Sequence, residues 1–407
     1  MKTILVAGAV LCALVPLYAQ PPAGGRGGGR GMFGLPGVKS PEVSSDGRIT
    51  FRLRAPDAHD VAVTLNGRVA MTKDDQGVWS VTTQPMQPDY YPYNFLVDGV
   101  SISDPANPMV KSIVTGGFQS FVHVPGPSSL SWELNDVPHG VVNHHFYKSA
   151  IIGDQRDFYV YTPPNYDPSG KTKYPVLYLI HGFTDDASGW TTAGRANIIL
   201  DNLIAQGKAK PMIMVNPLGY GTPNPDTNLG AVMANPQKQF QDVSRALLEE
   251  VMPMVESQYR VATDRNSRAI SGLSMGGAET FYIGLNHIDK FAYVAGMSSA
   301  FVMYPRPAGS APPAGGGRGQ QQRMEPATFD NVFPKLDAKA ASQLKLLYVA
   351  CGTEDGLIGV NRDFKDYLKS KDIAYTNIET PGAHTWMVWR RNLTEIAPML
   401  FQNSAKR

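Results

Sequence analysis

Only two cysteines occur in 407 residues, Cys12 and Cys351. Cys12 lies inside an apolar N-terminal run. A chain cleaved after that run keeps one thiol, which excludes an intrachain disulfide. Charge of one sign is equally scarce. The formal net charge is +2, too small to imply a polyanionic partner, so no nucleic acid is expected. Beyond the N-terminus no apolar run approaches the roughly 20 residues of a membrane-spanning helix. No G-x-x-x-x-G-K-[ST] loop, and no G-x-G-x-x-G following a strand, is present to cradle a phosphate. The pair His144-His145 has no further ligands at a suitable spacing, which argues against a metal centre. Neither a cofactor nor a metal is expected.

Glycine and proline, by contrast, are in excess, at 40 and 32 residues against a usual combined share of about 12 %. Two tracts hold much of the surplus: residues 21–37 (PPAGGRGGGRGMFGLPG) and 305–319 (PRPAGSAPPAGGGRG). Neither shows a G-X-Y period, and 43 % hydrophobic residues exclude wholesale disorder. The first 20 residues, MKTILVAGAVLCALVPLYAQ, read as a secretory signal peptide over 1–19 with Leu17-Tyr18-Ala19 before the cleavage point. Residues 20–37 then form a Gly/Pro-rich linker, and the mature chain is secreted or periplasmic with no membrane attachment. The second tract, as an insert over 305–323, follows a strand whose carboxyl end faces the candidate site. It is expected to form a lid or pocket rim.

Two patterns divide the remainder. From 38 to 126 short alternating runs recur: Ile49–Leu53, Val61–Leu65, Val78–Val81, Tyr91–Val97 and Ser120–Val124. Turn pairs such as Asn66-Gly67 and Asp98-Gly99 separate them, which predicts an immunoglobulin-like β-sandwich. A connector spans 127–139. From 140 to 403 near-continuous apolar runs alternate with helical stretches. The runs are Val176–Ile180, Met212–Val215, Ala269–Ser271, Ala292–Ala295 and Leu344–Ala350, and the helices include Val243–Tyr259 and Met275–Asn286. This is the signature of a mostly parallel, doubly wound α/β sheet.

Gly272-Leu273-Ser274-Met275-Gly276 matches G-x-S-x-G between a strand and a helix. That turn lifts a serine hydroxyl above a sheet, with small neighbours to relieve crowding. A serine needs a base and an orienting acid to act as nucleophile. Of the two histidines that follow, His287 ends the elbow helix and points away, whereas His384 sits in a Gly-marked loop before the last helix. His384 is the better base. The acid comes from Cys351-Gly352-Thr353-Glu354-Asp355-Gly356 at the end of a strand, where spacing leaves Glu354 and Asp355 tied. Strand 176–180 ends in His181-Gly182-Phe183, so the Phe183 and Met275 amides are placed to hold an oxyanion. His181 is expected to brace its loop. Trp386 and Trp389 are read as core residues, Ser298 and Ser299 as a loop.

With these motifs and Gly382-Ala383-His384-Thr385-Trp386, the C-terminal half resembles carbohydrate esterase family 1, which includes feruloyl and acetylxylan esterases of the α/β-hydrolase fold. The resemblance implies Ser274 as nucleophile, Asp355 as acid, His384 as base, and Phe183 and Met275 as oxyanion donors. The N-terminal half resembles the early-set domain known as carbohydrate-binding module family 48. It does so through Phe51-Arg52-Leu53-Arg54-Ala55-Pro56, Gly77-Val78-Trp79 and Tyr91–Gly99. Together they imply a secreted serine esterase releasing ferulic acid from esterified plant polysaccharide such as arabinoxylan. The alternatives are an acetylxylan esterase, an enterochelin-type siderophore esterase, and a non-catalytic polysaccharide-binding protein.

Overall fold

The computed structural model describes residues 37–114, 116–307 and 323–402. The segment expected to be a signal peptide, almost all of the expected linker and most of the 305–323 insert lie outside the described residues. Among the described residues no helix is long and apolar enough to cross a membrane.

The N-terminal region is all β. Ile49–Arg54, Val61–Thr64, Val78–Thr82 and Phe118–Val124 fall where alternation predicts strands. The strands form two four-stranded sheets and one of three strands. Inward residues Ile49, Phe51, Val61, Val63, Tyr93 and Phe95 pack into one core, as period-two alternation requires. Trp79 belongs to that core, its indole N–H donating to the Ala55 carbonyl at 2.9 Å. One expectation needs correction: Tyr91–Val97 is two strands. Asp89–Tyr93 pairs with Phe118–Val124, while Phe95–Val97 pairs with Val61–Thr64 in another sheet. The switch falls at Asn94, whose amide nitrogen donates to the Phe118 carbonyl at 3.2 Å and whose amide oxygen accepts from the Ser120 N–H at 3.1 Å.

The C-terminal region is an α/β-hydrolase. Its eight strands lie in the order Val141–Lys148, Gln155–Thr162, Ile213–Pro217, Val176–Ile180, Arg268–Leu273, Tyr293–Met297, Leu346–Gly352, Thr376–Thr380. Only Gln155–Thr162 runs against the others. Both faces of the central strands are buried: Val176, Tyr178 and Ile180 face one layer of helices, Leu177 and Leu179 the other. That two-sided burial is why Val176–Ile180 carries no charged residue. The helix expected over Val243–Tyr259 begins earlier, at Pro236, where the Asn235 side chain caps the Lys238 N–H at 3.1 Å. Its turns widen over Ala246–Val251, just before Pro253, which has no N–H to continue the ladder.

The two regions share packing. Val114 joins one hydrolase core, and Tyr90, Phe121 and Trp132 join the other. Between them lies the fully buried Arg390, on the last helix Trp386–Ile396. Its guanidinium pairs with Asp89 and donates to the carbonyls of Tyr90 at 2.9 Å and Ala193 at 2.6 Å. Replacing one member of such a pair leaves an uncompensated buried charge. Arg390→Met is expected to cost about 3–5 kcal/mol, measured as a lower urea midpoint at unchanged slope.

Candidate active site

Ser274 stands where the strand Arg268–Leu273 gives way to the helix Ser274–Asn286, with φ +54°. For a non-glycine residue this left-handed conformation costs about 1–3 kcal/mol and persists only where its surroundings enforce it. The flanking glycines show what the enforcement requires. A Cβ on Gly272 would lie 2.4 Å from the Gly276 carbonyl oxygen, and one on Gly276 would lie 2.3 Å from that of His181. The Ala300 N–H anchors the Ser274 carbonyl at 2.8 Å.

Three side chains from distant parts of the chain meet here. The Ser274 hydroxyl donates to His384 Nε2 at 3.0 Å, and His384 Nδ1–H donates to Asp355 Oδ2 at 2.8 Å. Asp355 is buried, and its other oxygen accepts the Leu357 N–H at 2.8 Å. Glu354 is exposed; its N–H donates to the Gly382 carbonyl at 3.0 Å, which fastens the His384 loop. The Trp389 ring meets the His384 ring edge-on, centroids 4.9 Å apart. Cys351, four residues before Asp355, is buried, and burial pushes its thiol up to about 12. It is no competing nucleophile at neutral pH.

A cleft of about 280 Å³ opens above Ser274 and His384, near the lower end of small-ligand sites, roughly 300–1,000 Å³. Phe183, Thr385, Trp386 and Trp389 line it. The two tryptophans are also core residues: Trp386 packs against Trp190 at 5.3 Å and Trp389 at 5.2 Å between ring centroids. His181 is fully used within its loop. Its Nδ1–H donates to the Gly182 carbonyl at 2.8 Å, and its Nε2 accepts the Gly219 N–H at 2.9 Å. Burial holds its pKa below the ordinary value, so it stays neutral. His287 lies at the far end of the elbow helix, 3.5 Å from the Ser244 hydroxyl. Ser298 and Ser299 are buried and outside the cleft lining. His144 pairs with Asp157 at 2.7 Å and His145 with the Tyr259 hydroxyl at 2.5 Å. No cluster of three potential metal ligands occurs among the described residues.

Two features escaped the sequence reading. Pro92, Lys111, Ile113 and Gln119, all from the N-terminal region, also line the cleft. Glu279, one and a half turns after Ser274, is wholly buried, with one oxygen accepting from Gln239 Nε2 at 2.9 Å. Burial raises its pKa well above the carboxylate range. The folded protein thus keeps a proton that the unfolded chain releases above about pH 4.3, and stability declines as pH rises from there. Glu279→Gln is expected to have a higher Tm than the wild type at pH 8, the difference vanishing toward pH 4.

A hydroxyl, an imidazole and a carboxylate in series at the carboxyl edge of an α/β-hydrolase sheet define the class: a serine carboxylic-ester hydrolase. The chain belongs to the family described as Putative esterase, whose family model matches residues 149–400. It is 31 % identical over 377 residues to an endo-1,4-beta-xylanase/feruloyl esterase of Xylanibacter ruminicola, covering 90 % of this chain and 46 % of that one. It thus spans less than half the length of that relative. Among solved structures it is similar to a CE1 ferulic acid esterase from Anaeromyces mucronatus in complex with ferulic acid. That likeness has a TM-score of 0.54 at 23 % identity, over 68 % of this chain and 96 % of the other. The enterochelin esterase of Shigella flexneri is similar with a TM-score of 0.63 at 17 % identity, over 88 % and 94 %. Both likenesses concern the fold.

Proposed function

We propose that this chain is a secreted serine esterase that releases hydroxycinnamic acids, chiefly ferulic acid, from esterified plant polysaccharide such as arabinoxylan. In this reading 1–19 is a signal peptide, 38–126 an early-set domain and 140–403 the esterase domain. The hydrogen-bonded series Ser274–His384–Asp355 beneath an open cleft carries the proposal.

Ser274 Oγ adds to the ester carbonyl as its proton passes to His384 Nε2, and Asp355 stabilises the imidazolium. The Phe183 and Met275 N–H groups receive the charge that develops on the carbonyl oxygen. Collapse expels the sugar oxygen, which takes the proton from His384. Water, deprotonated in turn by His384, then adds to the acyl-enzyme and frees the acid. No cofactor takes part.

An aromatic acyl group is favoured over acetyl by the apolar lining of Phe183, Ile113, Trp386 and Trp389. The Xylanibacter relative, whose match extends over 90 % of this chain, supports the same choice. The assay compares methyl ferulate, acetylated xylan and a short p-nitrophenyl ester. We expect kcat/KM for ferulate release to exceed that for acetate release by about tenfold or more. Acetate release without ferulate release would reassign the protein as an acetylxylan esterase. Xylan binding with no ester cleaved would reassign it as a binding protein.

A further inference from the structure

Of the cleft residues, Pro92, Lys111 and Gln119 lie on one three-stranded sheet of the N-terminal region, built from Asp89–Tyr93, Val110–Ser112 and Phe118–Val124, and Ile113 directly follows Val110–Ser112 in the chain. The same sheet grips the loop that follows Ile180. The Lys111 ammonium is buried against the Asp185 carboxylate, their side chains 4 % and 9 % exposed. The Ser112 hydroxyl donates to the Asp186 carboxylate. The Val114 N–H donates to the Thr184 carbonyl at 2.9 Å. Three consecutive loop residues are therefore fastened to one short stretch of the sandwich.

What is fastened is strained. Thr184 has φ +72°, unfavourable for a β-branched residue and sustained only by its surroundings. It directly follows Phe183, the oxyanion donor in the reading above. A buried ion pair loses hydration on both sides, so fixing geometry explains Lys111 better than added stability does. The Tyr220 hydroxyl, donating to the Asp185 carbonyl at 2.9 Å, holds the loop from its other side.

We infer that Lys111 is a positioning residue for ester hydrolysis: through Asp185 it sets the loop Gly182–Asp186 so that the Phe183 N–H meets the developing oxyanion. The N-terminal sandwich is then a working part of the active site and not a separate binding appendage. This rests on the assignment of Ser274 and Phe183 above. Because the oxyanion forms only after Ser274 adds, a displaced N–H lowers kcat while ground-state binding persists.

The test uses the full chain, methyl ferulate as substrate, ferulate as ground-state ligand and an arylboronic acid as mimic of the tetrahedral adduct. Lys111→Met is expected to lose about ten- to a hundredfold in kcat with KM within about twofold. Boronic acid affinity should fall in parallel while ferulate affinity holds, a split that general destabilisation would not produce. Should Lys111→Met lack a cooperative thermal transition, Ser112→Ala carries the test, with an expected loss of about three- to tenfold in kcat at unchanged KM. Wild-type kcat in a folded Lys111→Met, a loss confined to KM, or wild-type kcat in Ser112→Ala when Lys111→Met does not fold would each overturn the inference. Wild type and Ser274→Ala run alongside. Hydrolysis by the first and none by the second assigns any failure to Lys111 alone, whereas an active Ser274→Ala removes the reading beneath it.

Discussion

Ser274→Ala is expected to lower kcat on every accepted ester by about 10⁴- to 10⁶-fold while the protein stays folded. The magnitude follows from what the hydroxyl does in its surroundings. Its proton acceptor, His384 Nε2, lies 3.0 Å away; Thr184 and Thr385 also line the cleft, but among the described residues Ser274 carries the hydroxyl that is hydrogen-bonded to that nitrogen. Alanine leaves the imidazole with no nucleophile to activate except water. Stability should change little, because alanine carries the same Cβ and hence much the same strain at φ +54°, and the change removes one hydrogen bond at the partly exposed His384. A matched Tm beside the lost activity separates a chemical effect from an unfolded chain.

Asp355→Asn is expected to lower kcat by about 10⁴-fold, through a tautomer. Asp355 Oδ1 accepts the Leu357 N–H at 2.8 Å and Oδ2 accepts His384 Nδ1–H at 2.8 Å. In an asparagine only the carbonyl oxygen can serve Leu357, which turns the NH₂ group toward His384 Nδ1. The imidazole then carries its proton on Nε2 and can no longer take one from Ser274. The neighbouring Glu354 is exposed, and among the described residues its hydrogen bond runs through its backbone N–H to the Gly382 carbonyl. Glu354→Gln should therefore stay within about twofold of wild type. Measuring kcat for both variants on methyl ferulate checks the pair.

Those two carboxyls also mark where sequence reading reaches its limit. The turn at Ser274 is legible because its determinants are local: Gly272 and Gly276 are required by contacts four residues apart or across one adjacent strand. Which of Glu354 and Asp355 faces His384 depends on the direction of a loop after Gly352, and neighbouring acids look alike in a sequence. Lys111 and Asp185 stand 74 residues apart, and nothing local to either announces a partner in the other region. The buried Glu279 gave no signal, because a helical glutamate normally faces water and nothing local distinguishes the uncommon one that the fold encloses. Val141–Lys148 escaped as a strand because its exposure alternates without a continuous apolar run, unlike Val176–Ile180. Tyr91–Val97 read as one strand because both halves are apolar, and the change of sheet at Asn94 is a tertiary event.

The most direct test of Ser274 as the acyl carrier is a rapid acid quench during turnover of p-nitrophenyl ferulate, followed by intact mass and peptide mapping. A single added feruloyl group on the peptide that holds Ser274, absent from Ser274→Ala, is the predicted result. An acyl group on any other residue, or a pre-quench burst of p-nitrophenol in Ser274→Ala equal to wild type, would contradict it.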